Sequence, residues 1–263
     1  MSLYVEVQQD ATILSCLQDM EPITLEQMSS IRLMNRTDMK FVTNKSMLVQ
    51  LLNAVGNLYY VQDIDGKRIS NYRTVYFDTP DHHFYMIHHN GKSPRQKVRI
   101  RTYLDSDISF LEIKDKNNHG RTQKERVKIK NLDSFACNEC DDFIRGALNI
   151  GFDDLSPVIE NQFQRVTLVN YGKTERLTID FNVAFKNFET QKSAETGDLV
   201  IIELKRSGHE ASPILSELRT LRIKPFGFSK YCIGSILTNS NLKDNRFRIR
   251  MRTLHKKATL PLN

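Results

Sequence analysis

Charged side chains, mainly Lys and Arg, recur at every second position in five short segments of this chain, a spacing that could grip an anion dense in charge. The segments are Arg36-Thr37-Asp38-Met39-Lys40, Lys97-Val98-Arg99-Ile100-Arg101, Leu111-Glu112-Ile113-Lys114-Asp115-Lys116, Lys124-Glu125-Arg126-Val127-Lys128-Ile129-Lys130 and Ile202-Glu203-Leu204-Lys205. Successive side chains of an extended strand point to opposite faces, so Arg99 and Arg101 share one face while Val98 and Ile100 form the other. One such strand reads as part of an ordinary sheet with a wet side. Five in one chain are different, because like charges on neighbouring strands repel unless an anion or bulk water compensates them. Burying several cations without counter-charge is costly for each ion. A triphosphate or a longer phosphate chain fits such rows, since guanidinium forks bind its oxygens in pairs and ammonium groups act as point charges along it. The carboxylates on these faces, Asp38, Glu112, Asp180 and Glu203, are either salt-bridged or ligands for a divalent ion that bridges phosphate oxygens.

The elements that must position these rows follow from periodicity and caps. A weak amphipathic pattern (Ile13, Leu14, Leu17, Met20, then Leu25 and Met28) predicts leading helices, broken at Pro22. A strand is expected over about 31–42, then a helix capped by Asn44 and stopped at Gly56. Further strands are expected near 59–63 and 70–78, followed by a short His-rich helix capped by Asp81 and ended at Gly91. Strands at about 96–103, 108–114 and 121–129 form a meander with turn-like Asp-Ser-Asp and Asn-Asn-His-Gly between them. A helix over about 133–148, strands at about 158–170, 175–184 and 198–205, a helix over about 213–221 and another after Phe226-Gly227-Phe228-Ser229-Lys230-Tyr231 complete the reading. Eight or nine strands in mostly antiparallel order could make a sandwich, an open sheet or a closed barrel. Closure alone leaves an interior wide enough for a charged row from every strand. The expected fold is therefore α+β: a closed antiparallel β-barrel tunnel of about eight strands with flanking helices.

At 263 residues and 40% apolar content, the chain can bury a sizeable core as a single domain spanning residues 1–263. Its expected parts are a core of about 31–234, a helical leader over 1–30 and a basic tail over 243–263. Lys and Arg number 38 against 31 Asp and Glu, a net +7, so polyanions are the first partners to consider. No apolar run approaches the roughly eighteen residues of a membrane helix, and no signal-like start is present, which predicts a soluble, cytoplasmic protein. Four scattered cysteines agree with a reducing compartment. The lone Cys137-Asn138-Glu139-Cys140 lacks a second pair or a His at ligand spacing, so buried helix cysteines are expected in place of a zinc site. The pairs His82-His83 and His88-His89 read as surface or packing residues. Gly91-Lys92-Ser93 imitates the end of a P-loop, yet the required first glycine falls at Met86 and a strand follows it, so phosphate recognition must rest on side chains. No dinucleotide fingerprint, zinc-protease helix or nucleophile elbow is present.

Nine short elements in register carry a resemblance: Arg36-x-x-x-Lys40-Phe41, Thr74-Val75-Tyr76-Phe77-Asp78, Arg99-Ile100-Arg101-x-Tyr103, Leu111-Glu112-Ile113-Lys114, Lys124, Asn161-x-x-x-Arg165, Arg176-x-x-Ile179-Asp180, Glu203-Leu204-Lys205 and Ser229-Lys230-Tyr231. Over about 31–234 the chain resembles the VTC-type polyphosphate polymerase domain, a branch of the triphosphate tunnel metalloenzymes. The resemblance implies an eight-stranded tunnel, manganese or magnesium, and transfer of the ATP γ-phosphate onto a growing inorganic polyphosphate chain. It assigns Arg99, Arg101, Lys114 and Lys230 to catalysis, Lys40, Lys124, Arg165, Arg176 and Ser229 to phosphate binding, and Glu203 to the metal. It is also compatible with a membrane-protein partner that takes up the product.

One departure matters. The wider superfamily opens with Glu-x-Glu-x-Lys, where this chain has Arg36-Thr37-Asp38-Met39-Lys40. Loss of the first carboxylate argues against a second metal that activates water, and so against a dedicated hydrolase. The residues leave open whether Asp38 or Asp180 completes the metal shell. A triphosphate or tripolyphosphate hydrolase and a non-catalytic polyanion binder stay as rivals, and the basic Arg246-Phe247-Arg248-Ile249-Arg250-Met251-Arg252 arm with Lys256-Lys257 suits either. Few aromatics interleave the basic rows, so no specific nucleic acid is expected. Relief of cation crowding predicts that Arg99→Ala or Lys230→Ala leaves the ligand-free fold intact.

Overall fold

The computed structural model describes residues 11–29, 31, 36–118, 122–132, 135, 137–208 and 211–258. The first ten residues of the expected leader, the expected strand start over 32–35, the His119-Gly120 end of the predicted turn, the helix start at 133 and the last five residues of the tail lie outside them. Helices α1 (Ala11–Gln18) and α2 (Leu25–Ser29) flank the two-residue strand β1 (Pro22–Ile23). Strand β2 (Arg36–Asn44) runs into α3 (Lys45–Val55), with the Asn44 side chain accepting from the Met47 amide as its sequence position predicts. Then come β3 (Tyr59–Gln62), β4 (Ser70–Asp78), α4 (His83–His89) and the meander β5 (Arg95–Tyr103), β6 (Ile108–Lys116) and β7 (Thr122–Ile129). Helix α5 (Asn138–Leu148) leads to the long β8 (Ser156–Asn170) and β9 (Glu175–Asn187), the short β10 (Ser193–Glu195) and β11 (Leu199–Ser207). Three helices close the chain: α6 (Pro213–Thr220), α7 (Lys230–Thr238) and α8 (Arg248–Lys257). Among the described residues no helix is long and apolar enough to cross a membrane.

The main path of the sheet is β2-β11-β9-β8-β4-β5-β6-β7, antiparallel throughout. Strand β3 pairs with β8 and, in parallel, with β1, while β10 pairs with β9. No hydrogen-bonded pairing joins β7 to β2 among the described residues, so the expected barrel is not closed by its ladder. The sheet nevertheless curls strongly. Lys114 on β6 feels the charges of Glu203 and Lys205 on β11, five strands away along the path. Coulomb interaction between partly buried groups requires them to be near each other, so the two ends face across an enclosed space. A cavity of about 730 Å³ fills the gap, lined from one side by Asp38, Met39 and Lys40 of β2 and from the other by Thr122 and Lys124 of β7.

Alternation along the strands sorts apolar side chains to the convex face. Val98 and Ile100 of β5 pack with Val75, Leu111 and Ile113 against Cys140 and Ile144 of α5. Elsewhere Leu48, Leu51, Leu52 and Val55 of α3, with Ile13, Leu17, Ile214 and Leu218, cover Val166, Leu168, Leu177, Ile179, Val200, Ile202 and Leu204. Fully burying each such side chain stabilises the fold by about 1.5–3 kcal/mol.

Helix α7 lies on the opposite, concave face. Its Tyr231, Cys232 and Ile233 pack among Tyr76, Ile159, Phe163, Val183 and Phe185 of the strands. Two contacts fix its position. Asp78, fully buried at the end of β4, accepts from the amides of Phe84 and Tyr85 at 2.9 Å each and from the Tyr231 hydroxyl, tying α4 to α7. The expected Asp81 cap is thereby corrected: Asp78 and Thr79 take the free amides of α4, while Asp81 accepts from the Thr79 hydroxyl at 2.6 Å. The strand end aims the Asp78 carboxylate along the helix, which Asp81 in the turn does not reach.

The second contact is Gly234, where any Cβ would collide with the Phe185 ring. Gly234→Ala should therefore push α7 off β9 and lower stability by about 1–3 kcal/mol in urea unfolding. Unchanged stability would show that the helix has slack at this point.

Candidate active site

The charged rows converge. A cavity of about 150 Å³ inside the curl is lined by Lys40 of β2, Tyr76 of β4, Lys97, Arg99 and Arg101 of β5, Lys114 of β6, Arg165 of β8, Asp180 of β9, Ile201, Glu203 and Lys205 of β11, and Phe228, Ser229 and Lys230 at the start of α7. Eight of these are Lys or Arg, against two carboxylates. Strand register brings them together: Arg99 stands opposite Tyr76 and Glu112, Lys40 opposite Glu203, and Arg165 opposite Asp180. Lys97, Lys114 and Lys124 fall directly opposite one another across β5, β6 and β7. Like charges in such positions destabilise a sheet, so this register is unfavourable without an anion.

Two buried carboxylates relieve part of the repulsion. Glu112 accepts from Arg99 Nε at 2.8 Å and Nη2 at 2.6 Å, and pairs with Lys124. Burial would raise its pKa, but the charges of Arg99 and Arg101 and the Lys124 contact outweigh that and hold it at about 2. Asp180 accepts from Arg165 Nε at 2.5 Å and Nη2 at 2.8 Å, and pairs with Lys230. Burial opposes its ionisation as well, and Arg165 and Lys230 together keep it well below the usual carboxylate range. Arg165 and Lys230 also lie over the Phe163 ring, at 5.2 and 4.3 Å from its centroid. Arg99 and Lys230, like Arg165, are therefore ion-paired cations of this site. Truncating either would leave a buried carboxylate with one partner fewer, which corrects the expectation that both are dispensable for the fold.

Other cations are not relieved in this way. Lys114 is driven from 10.5 down to about 5, first by the charge of Arg99, then by burial and Arg101. Burial lowers Lys97. Burial with Arg99 and Arg165 brings Arg101 to about 10. Lys40 donates to the Phe228 carbonyl at 3.3 Å, and Ser229 Oγ accepts from Lys97 at 3.1 Å and from the Cys232 amide at 3.3 Å. Ser229 thus caps α7 and orients Lys97 at once.

Glu203 differs from the other two carboxylates. Its ion pair with Lys205 is long, 3.7 Å, and Lys40, Lys205 and Arg165 overcome its burial to hold it at about 2. An ionised, loosely paired carboxylate facing the cavity suits a hard divalent cation. Asp180 does not, because Arg165 and Lys230 already engage both its oxygens. Asp38 lines the wider 730 Å³ chamber together with Glu203. Among the described residues no cluster of three or more His, Cys, Asp or Glu could hold a metal, so an ion on Glu203 would take its remaining ligands from phosphate and water.

Of the residues singled out by sequence, Arg99, Arg101, Lys114, Lys230, Lys40, Arg165, Ser229 and Glu203 all line the central cavity. Lys124 lies one chamber outward, bound to Glu112. Arg176 shares the row of Lys205 but donates to the Met28 carbonyl at 3.1 Å and lines neither chamber. Lys97, Lys205 and Tyr76 were not among those residues, although period-two spacing from Arg99 and from Glu203 points to the first two. Neither Cys137 nor Cys140 forms a disulfide; Cys140 is buried in α5 as expected, while Cys137 is half-buried at the N-cap just before it. His88 is a packing residue: its Nδ1 is 3.0 Å from Cys232 Sγ, and burial beside Lys97 and Arg95 holds its pKa at about 2.

The VTC domain family matches residues 35–239, more than half of the chain. The chain belongs to the VTC domain family. No curated protein sequence matches it. Among solved structures, this VTC domain is similar to a candidate adenylate cyclase from Bacillus halodurans at 15% identity, over 82% of this chain and 100% of that one, with a TM-score of 0.48. It is also similar to a candidate adenylyl cyclase from Hippeastrum in which triphosphatase activity dominates, at 13% identity, over 76% and 95% of the chains, with a TM-score of 0.48. A third is a candidate adenylate cyclase from Vibrio parahaemolyticus, at 11% identity over 77% and 99%, with a TM-score of 0.45. All three scores fall below 0.5, and membership of the family rests on the sequence match.

The cationic crowding in this VTC domain has a thermodynamic signature. Between about 5 and 10.5 the unfolded chain binds a proton at Lys114 that the folded, ligand-free chain does not, so stability rises with pH across that window. Lys97, Lys124 and Lys230, all lowered, contribute with the same sign. The thermal midpoint of the ligand-free protein should climb between about pH 6 and about pH 9, and the slope should flatten with tripolyphosphate bound. A midpoint that falls with rising pH would contradict this account.

Proposed function

We propose that this VTC domain transfers the γ-phosphate of ATP onto the end of an inorganic polyphosphate chain. The observation that carries the reading is the central cavity itself: eight cations against two carboxylates, one of which is already engaged by Arg165 and Lys230. The surplus positive charge calls for a ligand with several negative charges in a small volume, which condensed phosphate supplies.

Phosphoryl transfer passes through a loose, in-line transition state, and catalysis is mostly positioning and charge stabilisation. Arg99 and Arg101, on one face of β5, hold successive phosphates. Lys40, Lys114, Arg165 and Lys230 surround them from the facing strands and α7. The terminal phosphate of an acceptor chain is already anionic and needs no general base, which suits a cavity with no His or Cys in its lining among the described residues. A divalent ion, manganese or magnesium, would be held by Glu203 and phosphate oxygens, and when bound it supplies neutralising charge to the transferring group and the leaving ADP. Anion binding also restores the proton on Lys114, turning a neutral amine into a cation against the phosphates.

A triphosphate hydrolase is the second reading, and one group favours it. Tyr76 lines the cavity within 3.4 Å of Arg99, and although burial raises its pKa, Arg99, Lys97 and Arg101 bring it down to about 8. A phenol with that pKa is partly ionised near neutral pH, and its phenolate can take a proton from an attacking water.

Incubation with ATP and manganese distinguishes the readings. Chains resolved by gel, with ADP in matching amount, are expected. Orthophosphate without chains would favour the hydrolase, and binding of polyphosphate without turnover would leave a binder. Arg101 donates to the Thr74 hydroxyl at 3.4 Å and has no carboxylate ion pair among the described residues, so Arg101→Ala should keep the fold and cost roughly 10²–10³-fold in rate. A rate within a few-fold of wild type would remove Arg101 from the mechanism.

A further inference from the structure

The central cavity meets two cation-lined chambers, and among the described residues only one of them has carboxylates in its wall. Toward the ends of the sheet it meets the 730 Å³ chamber, which holds Asp38 and Glu203. On the side where α4 and α8 meet the start of α7, it meets a second chamber of about 530 Å³, and the two share Lys40, Lys97, Phe228 and Ser229 in their walls. This second chamber shares Arg95 with the 730 Å³ chamber and adds Arg246 and Arg250, and no carboxylate lines it among the described residues. Its α8 side comes from residues beyond the 35–239 stretch that matches the family.

Its cations are held in place without being neutralised. Arg246 donates to the Asn90 carbonyl at 2.8 Å, and Arg250 lies over the Phe247 ring at 5.6 Å. Neither makes an ion pair among the described residues, whereas Arg248, between them in sequence, is held by Asp244 at 3.1 Å. Buried Phe247 and Leu254 anchor α8 against the body of the protein, so these guanidinium groups belong to a docked surface. Arg95 continues the row of Lys97, Arg99 and Arg101 along β5, and the cations run without a break from the central cavity into the chamber.

Size gives a direction to this continuity. Ligand sites commonly occupy about 300–1,000 Å³. At about 150 Å³ the central cavity accommodates a few phosphates at most, both outer chambers fall in the usual range, and the second is the one free of carboxylates among the described residues. We propose that Arg95, Arg246 and Arg250 form a second phosphate-chain site, holding the stretch of a condensed phosphate chain that extends beyond the central cavity. This rests on the reading of that cavity as a polyphosphate site. A chain held in both places would dissociate less readily between additions, so the chamber would favour longer products. Neutral His88 on its wall, kept uncharged by burial and by Lys97, Arg95 and Arg250, adds a polar surface without altering the charge balance.

The test is calorimetric binding of tripolyphosphate and of long-chain inorganic polyphosphate to the full chain and to the double variant Arg246→Ala/Arg250→Ala, with Arg248→Ala, between them in sequence, as the control. The double variant should bind tripolyphosphate within about twofold of wild type but long-chain polyphosphate about tenfold more weakly, with the salt dependence of log K shallower by about one to two units. Arg248→Ala should bind both as wild type does. Unchanged long-chain binding in the double variant, or equal loss for both ligands, would overturn the second site while leaving the central reading in place. Wild-type protein that binds neither ligand would overturn both.

Discussion

Repulsion among eight cations around a cavity of about 150 Å³ is the constraint on which the rest of the structure depends. Two unit charges about 4 Å apart at an effective dielectric of about 20 repel by about 4 kcal/mol, so a bare cluster of this size would open the sheet. Glu112 and Asp180 prevent that, each lying between two cations: Arg99 and Lys124 for the first, Arg165 and Lys230 for the second. The remaining crowding is eased by proton loss, most clearly at Lys114. The ligand-free protein is thus folded but electrostatically incomplete, and in the proposed function a phosphate chain supplies the charge that its own carboxylates do not.

Every larger feature serves to hold those charges at that spacing. The convex apolar face gives the curled sheet its stability, with α3 and α5 packed on opposite halves of it. Closure by a hydrogen-bonded ladder is not needed to face β6 toward β11, because the curl alone brings Lys114 into the field of Glu203 and Lys205. Helix α7 then fills the concave side. Asp78 ties it to α4, Gly234 lets it approach Phe185, and its first residues, Ser229 and Lys230, enter the cavity from a direction that no strand supplies.

Much of this was legible before the structure. Ser70–Asp78 is a strand with the bounds that its pattern predicts, and Asn44 and Gly56 delimit α3 as expected. Strand β9 runs three residues past its expected end because β8 is long enough to pair with it as far as Asn187 and β10 covers it from the other side. Strands β1 and β10, two and three residues long, are too short to carry any periodicity. In the site, alternation places Arg99, Arg101 and Lys114 in charged rows, and the resemblance marks them as site residues. Arg176 has the same face and yet turns to the Met28 carbonyl, since alternation says nothing of how far along a strand the cavity extends.

The sequence by itself determined that several strands are two-sided, one side apolar and the other cationic, because side-chain direction in an extended chain depends only on the parity of position. Only the tertiary structure decided which cations are neutralised and which await a ligand. Arg99 meets Glu112 across 13 residues, Arg165 meets Asp180 across 15, and Lys230 meets the same carboxylate across 50. Electrostatic energy follows distance in space, and that distance is set by the curl of the sheet and the seating of α7, neither of which spacing along the chain encodes.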